Sequence, residues 1–336
     1  MCQFVQSVVK LFLSLPLFSL FPPVNSPELF RGSSWLRLLR LFLAINVFCL
    51  GSSVLASAAL TVATYNVENY TLANRMVGGV YRPAYPKPEK EKAALRQVIA
   101  AIAPDILAVE EMGPQEFLDD FQRELKAAGQ NYPYTALLEA ADADRHVAVL
   151  AKVPFKEVKR HAAVSITYFG QKEVVKRGVL EVVFATTEGD FSVFVVHLKS
   201  KYTERKDDPE SAQQRALEAE AVRDLVLSRY PDPAKGKFMV VGDWNDTRGT
   251  RPVLAMQKRG DTIIGELVFA KDSRGEVWTH FFRREDTYSR IDYLLVSPAL
   301  KPLVAGNRAT IGDGPGTADA SDHRPVFLVL KLDPAR

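Results

Sequence analysis

The chain of 336 residues carries 43 Lys and Arg against 40 Asp and Glu, a formal charge of +3, and 47% of it is hydrophobic. Lys10, Arg31, Arg37 and Arg40 face only Glu28 in the first 58 residues, so residues 59–336 hold 39 basic and 39 acidic side chains. That balance excludes the global attraction of a strongly basic protein for phosphate backbones. Both cysteines, Cys2 and Cys49, also fall in the N-terminal part, which excludes disulfides and thiolate metal sites from the remainder.

Two apolar runs precede the first convincing strand. In the second, Arg37 and Arg40 flank an apolar centre from Leu41 to Leu50, and Ala56-Ser57-Ala58 follows, the layout of a secretory signal cleaved after Ala58. The first, Val5 to Phe21, holds Lys10 and Pro16 and ends in Pro22-Pro23, a poor spanning helix that fits sequence upstream of the true start. Residues 1–58 are therefore expected to be a targeting segment and 59–336 a single domain, secreted or periplasmic, monomeric and without a membrane span. An uncleaved membrane anchor is the alternative.

From Leu60 the pattern alternates between strand and helix. Leu60 to Tyr65 reads as a strand ending on Asn66-Val67-Glu68, and Asn69 to Glu89, with Gly78-Gly79 and three prolines, as a long loop near substrate. Apolar residues at Ala94, Leu95, Val98, Ile99 and Ile102 predict a helix over 90–103, stopped by Pro104. The strand Ile106 to Val109 runs into Glu110-Glu111, and a second helix is predicted from Gln115 to Ala128 between Pro114 and Gly129. Further strands are expected at 147–150, 178–184 and 191–196, the last two a hairpin about Glu188-Gly189-Asp190, ending on His197. A long helix follows over 211–230. The apolar run Phe238 to Val241 then delivers Gly242, Asp243, Trp244, Asn245 and Asp246. A short helix near 253–259, a strand at 291–296 containing Asp292, and a last strand at 326–330 preceded by Ser321-Asp322-His323 complete the chain.

Six strands thus present polar or ionisable groups where apolar sequence would continue: Asn66 and Glu68, Glu111, His197, Asp243 and Asn245, Asp292, and Asp322 with His323. Each alone has a plain structural reading, a cap or a buried amide. Together they imply strand ends converging on one cleft. The inventory is carboxylates, amides and imidazoles, with no thiol, and hard oxygen donors select Mg²⁺, with Mn²⁺ or Ca²⁺ as alternatives. His146, His161 and His280 read as surface or satisfied core residues, and Arg145, Arg177 and Arg215 as phosphate binders or loop stabilisers.

The set Tyr65-Asn66-Val67-Glu68, Val109-Glu110-Glu111, His197-Leu198-Lys199-Ser200, Gly242 to Asp246, Ile291-Asp292-Tyr293 and Ser321-Asp322-His323 resembles the endonuclease/exonuclease/phosphatase superfamily, in the family's order. The resemblance implies an α/β (α+β) fold, a four-layered α/β/β/α sandwich of two mostly antiparallel sheets. It implies Glu111 as the main metal ligand, with Asn66, Glu68 and Asp322 beside it. It further implies Asp243 orienting or deprotonating the attacking water, Asn245 holding a phosphate oxygen, and His323, oriented by Asp292, contacting the phosphoryl group. His197 resembles the histidine of the secreted nuclease and phosphatase branches, and Trp244 departs from the phenylalanine or leucine often found there. The implied activity is metal-dependent hydrolysis of a phosphoester, as a nuclease or phosphodiesterase whose partner is a phosphoester substrate such as nucleic acid. The alternatives are a phosphomonoesterase or sphingomyelinase-like esterase on the same site, and an inactive scaffold.

Overall fold

The computed structural model describes residues 59–335; the expected targeting segment, 1–58, lies outside the described residues. Seven strands of the first sheet are β1 (Leu60–Tyr70), β2 (Ile106–Met112), β3 (Tyr134–Leu138), β4 (His146–Ala151), β10 (Ala270–Lys271), β12 (Ala309–Ile311) and β13 (Val326–Leu330), in the order β10-β12-β13-β1-β2-β4-β3. The second contains β5 (Glu157–His161), β6 (Val179–Phe184), β7 (Phe191–His197), β8 (Phe238–Asp243), β9 (Glu266–Leu267) and β11 (Asp292–Val296), in the order β9-β11-β8-β7-β6-β5. The helices are α1 (Glu89–Ile102), α2 (Gln115–Ala127), α3 (Ala212–Arg229), α4 (Arg251–Gln257) and α5 (Thr317–Ala320).

Strand periodicity builds the layers. On β1, Val62 faces the second sheet in a cluster with Ile106, Val149, Val193, Val241 and Leu294, while its neighbours Ala63 and Tyr65 face α1 and α2 through Leu95, Val98, Leu118 and Phe121. The second sheet does the same: Phe194, Val240 and Leu295 pack outward on Ala219, Val222 and Val226 of α3 and Val253 of α4. Both faces of each sheet are therefore apolar and covered, which is why the strands read as continuous hydrophobic runs. The resulting order of layers is α/β/β/α, as the resemblance implies. Among the described residues no helix is long and apolar enough to cross a membrane.

Strand direction carries the functional ends to one edge. β1 and β2 are parallel, with Asn66 opposite Glu110, and so are β7 and β8, with His197 opposite Asp243. β11 runs antiparallel to β8 and begins with Asp292 opposite Asp243, and β13 begins with Val326 opposite Thr64 of β1. Parallel strands deliver their C-terminal ends and antiparallel partners their N-terminal ends to the same rim.

The stretch 69–89, expected as a loop, contains a hairpin, Ala73–Val77 paired with Val80–Tyr85. Gly78 and Gly79 turn it with φ of 59° and 78°, the doubly positive turn that matches the twist of paired strands. The short helix begins two residues earlier than expected, at Arg251, where Pro252 is tolerated in the first turn. Strand β5 and hairpins at Ser165–Tyr168/Gln171–Val174 and His280–Phe282/Thr287–Ser289 were not read from the sequence: each strand is only three to five residues long, too short to establish a period.

Candidate active site

The strand ends turn sharply where they become polar. Glu68, Asn69, Glu111 and Asn245 all take positive φ, between 48° and 62°, a region that costs non-glycine residues conformational energy and collects at functional sites. At Gly242, with φ of 132°, a Cβ would stand 1.9 Å from the Val196 carbonyl oxygen, so only glycine lets β7 and β8 approach here.

Asp243 is the centre of the arrangement and is almost wholly buried. Its carboxylate accepts hydrogen bonds from Asn66 Nδ2 at 3.2 Å, the Asn245 backbone amide at 2.8 Å and Asn245 Nδ2 at 3.2 Å. His197 Nε2 stands 3.6 Å from it and 4.0 Å from Glu111, and His323 Nε2 stands 3.8 Å away on the other side. His323 Nδ1 is bound by both oxygens of buried Asp292, at 2.9 and 3.1 Å, and the Thr279 hydroxyl accepts the Asp292 amide. Ser321 Oγ accepts the His323 amide at 3.0 Å while donating to the Asn66 carbonyl at 2.8 Å, tying the last strand's approach to β1.

A cavity of about 440 Å³ opens onto Glu111, His197, Asp243, Asn245, Asp322 and His323. Asn66, Glu68 and Asp292 stand behind this lining. Glu68 accepts the Asp322 amide at 3.1 Å and lies 3.8 Å from the buried ammonium of Lys87, so its carboxylate positions Asp322 from behind. Glu111 Oε2 accepts the Asn69 amide at 2.9 Å. Its neighbour Glu110 points the other way, between the sheets, where the Thr64 hydroxyl donates to it at 2.7 Å and, among the described residues, Oε2 has no hydrogen-bond partner.

Burial pushes the Glu110 carboxyl well above the usual range. Burial, then Asp292, also raises Asp243, to about 7, against the pull of His323. Glu68 is raised to about 7 by burial and Asp322. The imidazoles separate in the opposite sense. Burial, followed by Arg177, His323 and Arg145, holds His197 well below its ordinary value and neutral. Burial also opposes the charge on His323, but Asp292 and Asp243 outweigh it and hold it well above, as imidazolium.

Burial opposes the charge on Asp322, but His280 and His323 hold its carboxyl below the ordinary value, and the donors facing the cavity are carboxylate and amide oxygens with imidazoles. A donor set of that kind suits a hard divalent cation. Ligand atoms converge in two groups among the described residues, Asp243 with Asp292 and His323, and His280 with Asp322 and His323. His280 was not recognised from sequence. It lines the cavity 3.7 Å from Asp322, its ring 4.6 Å from that of His323. The three-residue strand that carries it has no periodicity, and only its bridge to His323 places it. Arg215 holds Asp246 at 2.9 Å and two backbone carbonyls, a structural role, whereas Arg145 and Arg177 line the cavity.

The model of the Endonuclease/Exonuclease/phosphatase family matches residues 63–323, and the chain belongs to that family. No curated protein shows significant sequence similarity to it. Among solved structures, a beta-toxin mutant from Staphylococcus aureus with bound magnesium ions is 16% identical, with a TM-score of 0.55, covering 81% of this chain and 99% of the toxin. Sphingomyelinase C from Streptomyces griseocarneus is 17% identical, with a TM-score of 0.53, covering 81% and 99% of the two chains. The human Nocturnin catalytic domain with bound sulfate is 16% identical, with a TM-score of 0.55, covering 82% and 94%. At these identities the likeness shows the shared fold, and with the family match the chain is a phosphoesterase-fold protein.

Proposed function

We propose that the protein is an exported, Mg²⁺-dependent phosphodiesterase that acts by water attack, with nucleic acid as its substrate class. The observation that carries this reading is the triad Asp292–His323–Asp243, in which an imidazolium and a buried carboxylate face one cavity 3.8 Å apart. Hydrolysis needs a group to position and deprotonate water on one side of phosphorus and positive charge on the other. Asp243, held by the amides of Asn66 and Asn245, fills the first role. A base pinned by three donors is oriented before substrate arrives.

His323 fills the second role, with its Nε2–H turned to the phosphoryl oxygens and its charge maintained by Asp292 through Nδ1. Asn245 and neutral His197 supply polar contacts on the same wall. Glu111 and Asp322 would hold the cation, which would supply electrophilic stabilisation of the charge on phosphorus. Export rests on the segment 1–58, whose basic flank, apolar run and Ala56-Ser57-Ala58 support it.

The test is to incubate the purified protein with Mg²⁺ or Mn²⁺ and plasmid DNA, RNA, a phosphomonoester panel, sphingomyelin and bis(p-nitrophenyl) phosphate. Diester cleavage abolished by EDTA is expected. Exclusive release of phosphate from monoesters would replace this reading with a phosphatase, and inertness toward all of them would leave a binding scaffold.

A further inference from the structure

Resting on the hydrolase reading above, we propose that the substrate is a single strand of nucleic acid gripped on both sides of the scissile phosphate. A neighbouring phosphate lies against Arg177, Arg145 and Lys199, and a base enters an aromatic groove beyond Asp322.

The groove, about 450 Å³, is lined by Trp278, Phe281, Tyr288, Arg283 and Arg324 and shares Asp322 with the reacting cavity. A wall one residue thick divides the two. On the short strand His280–Phe282, His280 faces the cavity and Phe281 the groove; on the turn between α5 and β13, His323 faces the cavity and Ser321 and Arg324 the groove. The aromatic residues form one assembly: Phe281 stacks on Tyr288 at 4.5 Å and 20°, Trp278 meets Tyr288 edge-on at 4.7 Å, and the Arg324 guanidinium covers Trp278 at 4.1 Å. Tyr288 is 59% exposed, so the assembly ends in an open ring face. Among the described residues Arg283 has no carboxylate within ion-pair distance and donates only to the Ala318 carbonyl. Flat rings edged by guanidinium groups receive the π-face of any base. A base reaches the groove only after leaving its stack, which favours a single strand over a duplex.

The opposite rim is cationic. The loop before β4 and the turn before β6 are joined by the Asp142 amide on the Lys176 carbonyl, and they bring Arg145 and Arg177 to the cavity. Arg177 is more than nine-tenths buried. Its Nε faces the Asp142 carboxylate at 2.9 Å, and among the described residues its Nη1 has no hydrogen-bond partner. A buried guanidinium donor left unpaired is costly, and a phosphate oxygen in the cavity satisfies it. Arg145 donates to Asn69 Oδ1 at 2.8 Å and Lys199 to backbone carbonyls; among the described residues neither has a carboxylate partner. Three cations there repel the quaternary ammonium of a choline headgroup and attract a second phosphate.

Short single-stranded DNA, the same sequence as a duplex, sphingomyelin vesicles and bis(p-nitrophenyl) phosphate are compared as substrates with Mg²⁺ or Mn²⁺. The single strand is expected to exceed the duplex in kcat/KM by about tenfold or more. Tyr288→Ala and Arg177→Gln are each expected to reduce the ratio of kcat/KM on the strand to that on the small diester by roughly tenfold, through KM. Arg177→Gln also lowers the slope of log KM against log salt by about 0.7, the signature of one lost phosphate contact on a single strand. Tyr288 is exposed, so its variant tests the groove without endangering the fold. An unchanged ratio in Tyr288→Ala, preference for duplex, or preference for the vesicles overturns the proposal. Cleavage of the small diester without preference for the strand overturns it alone, whereas inertness toward every substrate takes the hydrolase reading with it.

Discussion

Replacing Asp292 with Asn isolates the charge behind His323 from the geometry that holds it. The asparagine oxygen still accepts the Nδ1 proton, at a site where the carboxylate stands 2.9 and 3.1 Å away and is almost wholly buried. What disappears is the attraction between imidazolium and carboxylate. Two unit charges about 4 Å apart in an effective dielectric of about 20 interact by about 4 kcal/mol. If His323 must carry its charge against the phosphoryl oxygens, most of that difference enters the barrier, and kcat should fall roughly 10²- to 10³-fold. KM should move by less than about threefold, because the lost interaction matters most where charge develops. Global stability should fall by about 3 kcal/mol, since removing one partner of a buried ion pair leaves the other charge without its counter-charge. Steady-state hydrolysis of bis(p-nitrophenyl) phosphate, paired with urea unfolding, reads both quantities. A folded Asp292→Asn protein whose kcat stays within about tenfold of the parent would refute the assignment of His323 as a charged contact.

Glu111→Gln removes a carboxylate from the cation site: Mg²⁺ or Mn²⁺ should raise the melting temperature of the parent and raise that of the variant much less, by linkage. A parent whose melting temperature ignores both ions would contradict the cation site. Asp272 is buried and accepts Arg324 at 2.8 Å and the amides of Arg274 and Glu276. Burial works against its charge, but these donors hold its pKa well below the ordinary carboxylate value. A depressed folded pKa contributes stability that is complete above the unfolded value, near 3.9, and is lost as pH falls toward the folded one. Asp272→Asn should therefore cost about 3 kcal/mol at pH 7, with the gap to the parent narrowing below about pH 4; a gap independent of pH in urea titrations would contradict the ion pair. Gly242→Ala should destabilise by about 3 kcal/mol or more, because its Cβ meets the Val196 carbonyl at 1.9 Å. A variant melting within a degree or two of the parent would show that β7 and β8 tolerate separation.

Most of the sheets were legible because both faces of each are covered, and the chain accordingly writes its strands as apolar runs from Leu60, Ile106, Phe191, Phe238 and Val326. The edges were not: Glu157–His161 and the hairpin at Ala73–Val77 carry many polar residues, so their pairing partners and not an apolar pattern define them. The site divides in the same way. Asp243, Asp292 and His323 interrupt apolar patterns and announce themselves. His280 does not, since its role follows from a bridge to His323, 43 positions away in sequence, that no local pattern encodes. Glu110 and Glu111 look alike in sequence, and only the positive φ of Glu111 separates a carboxyl buried between the sheets from one facing the cavity.

The order of residue types along the chain determined the inventory: oxygen and imidazole donors at strand ends, no thiol, and helices enough to cover two sheets. Tertiary structure decided which donors share a cavity, that Asn66 and Glu68 stand behind it, and that burial and neighbouring charges shift His197 and His323 in opposite directions. The reason is physical. Residue type sets what a group can do in water, but distance and burial set what it does, and both arise only when parallel and antiparallel pairings bring remote strand ends to one rim.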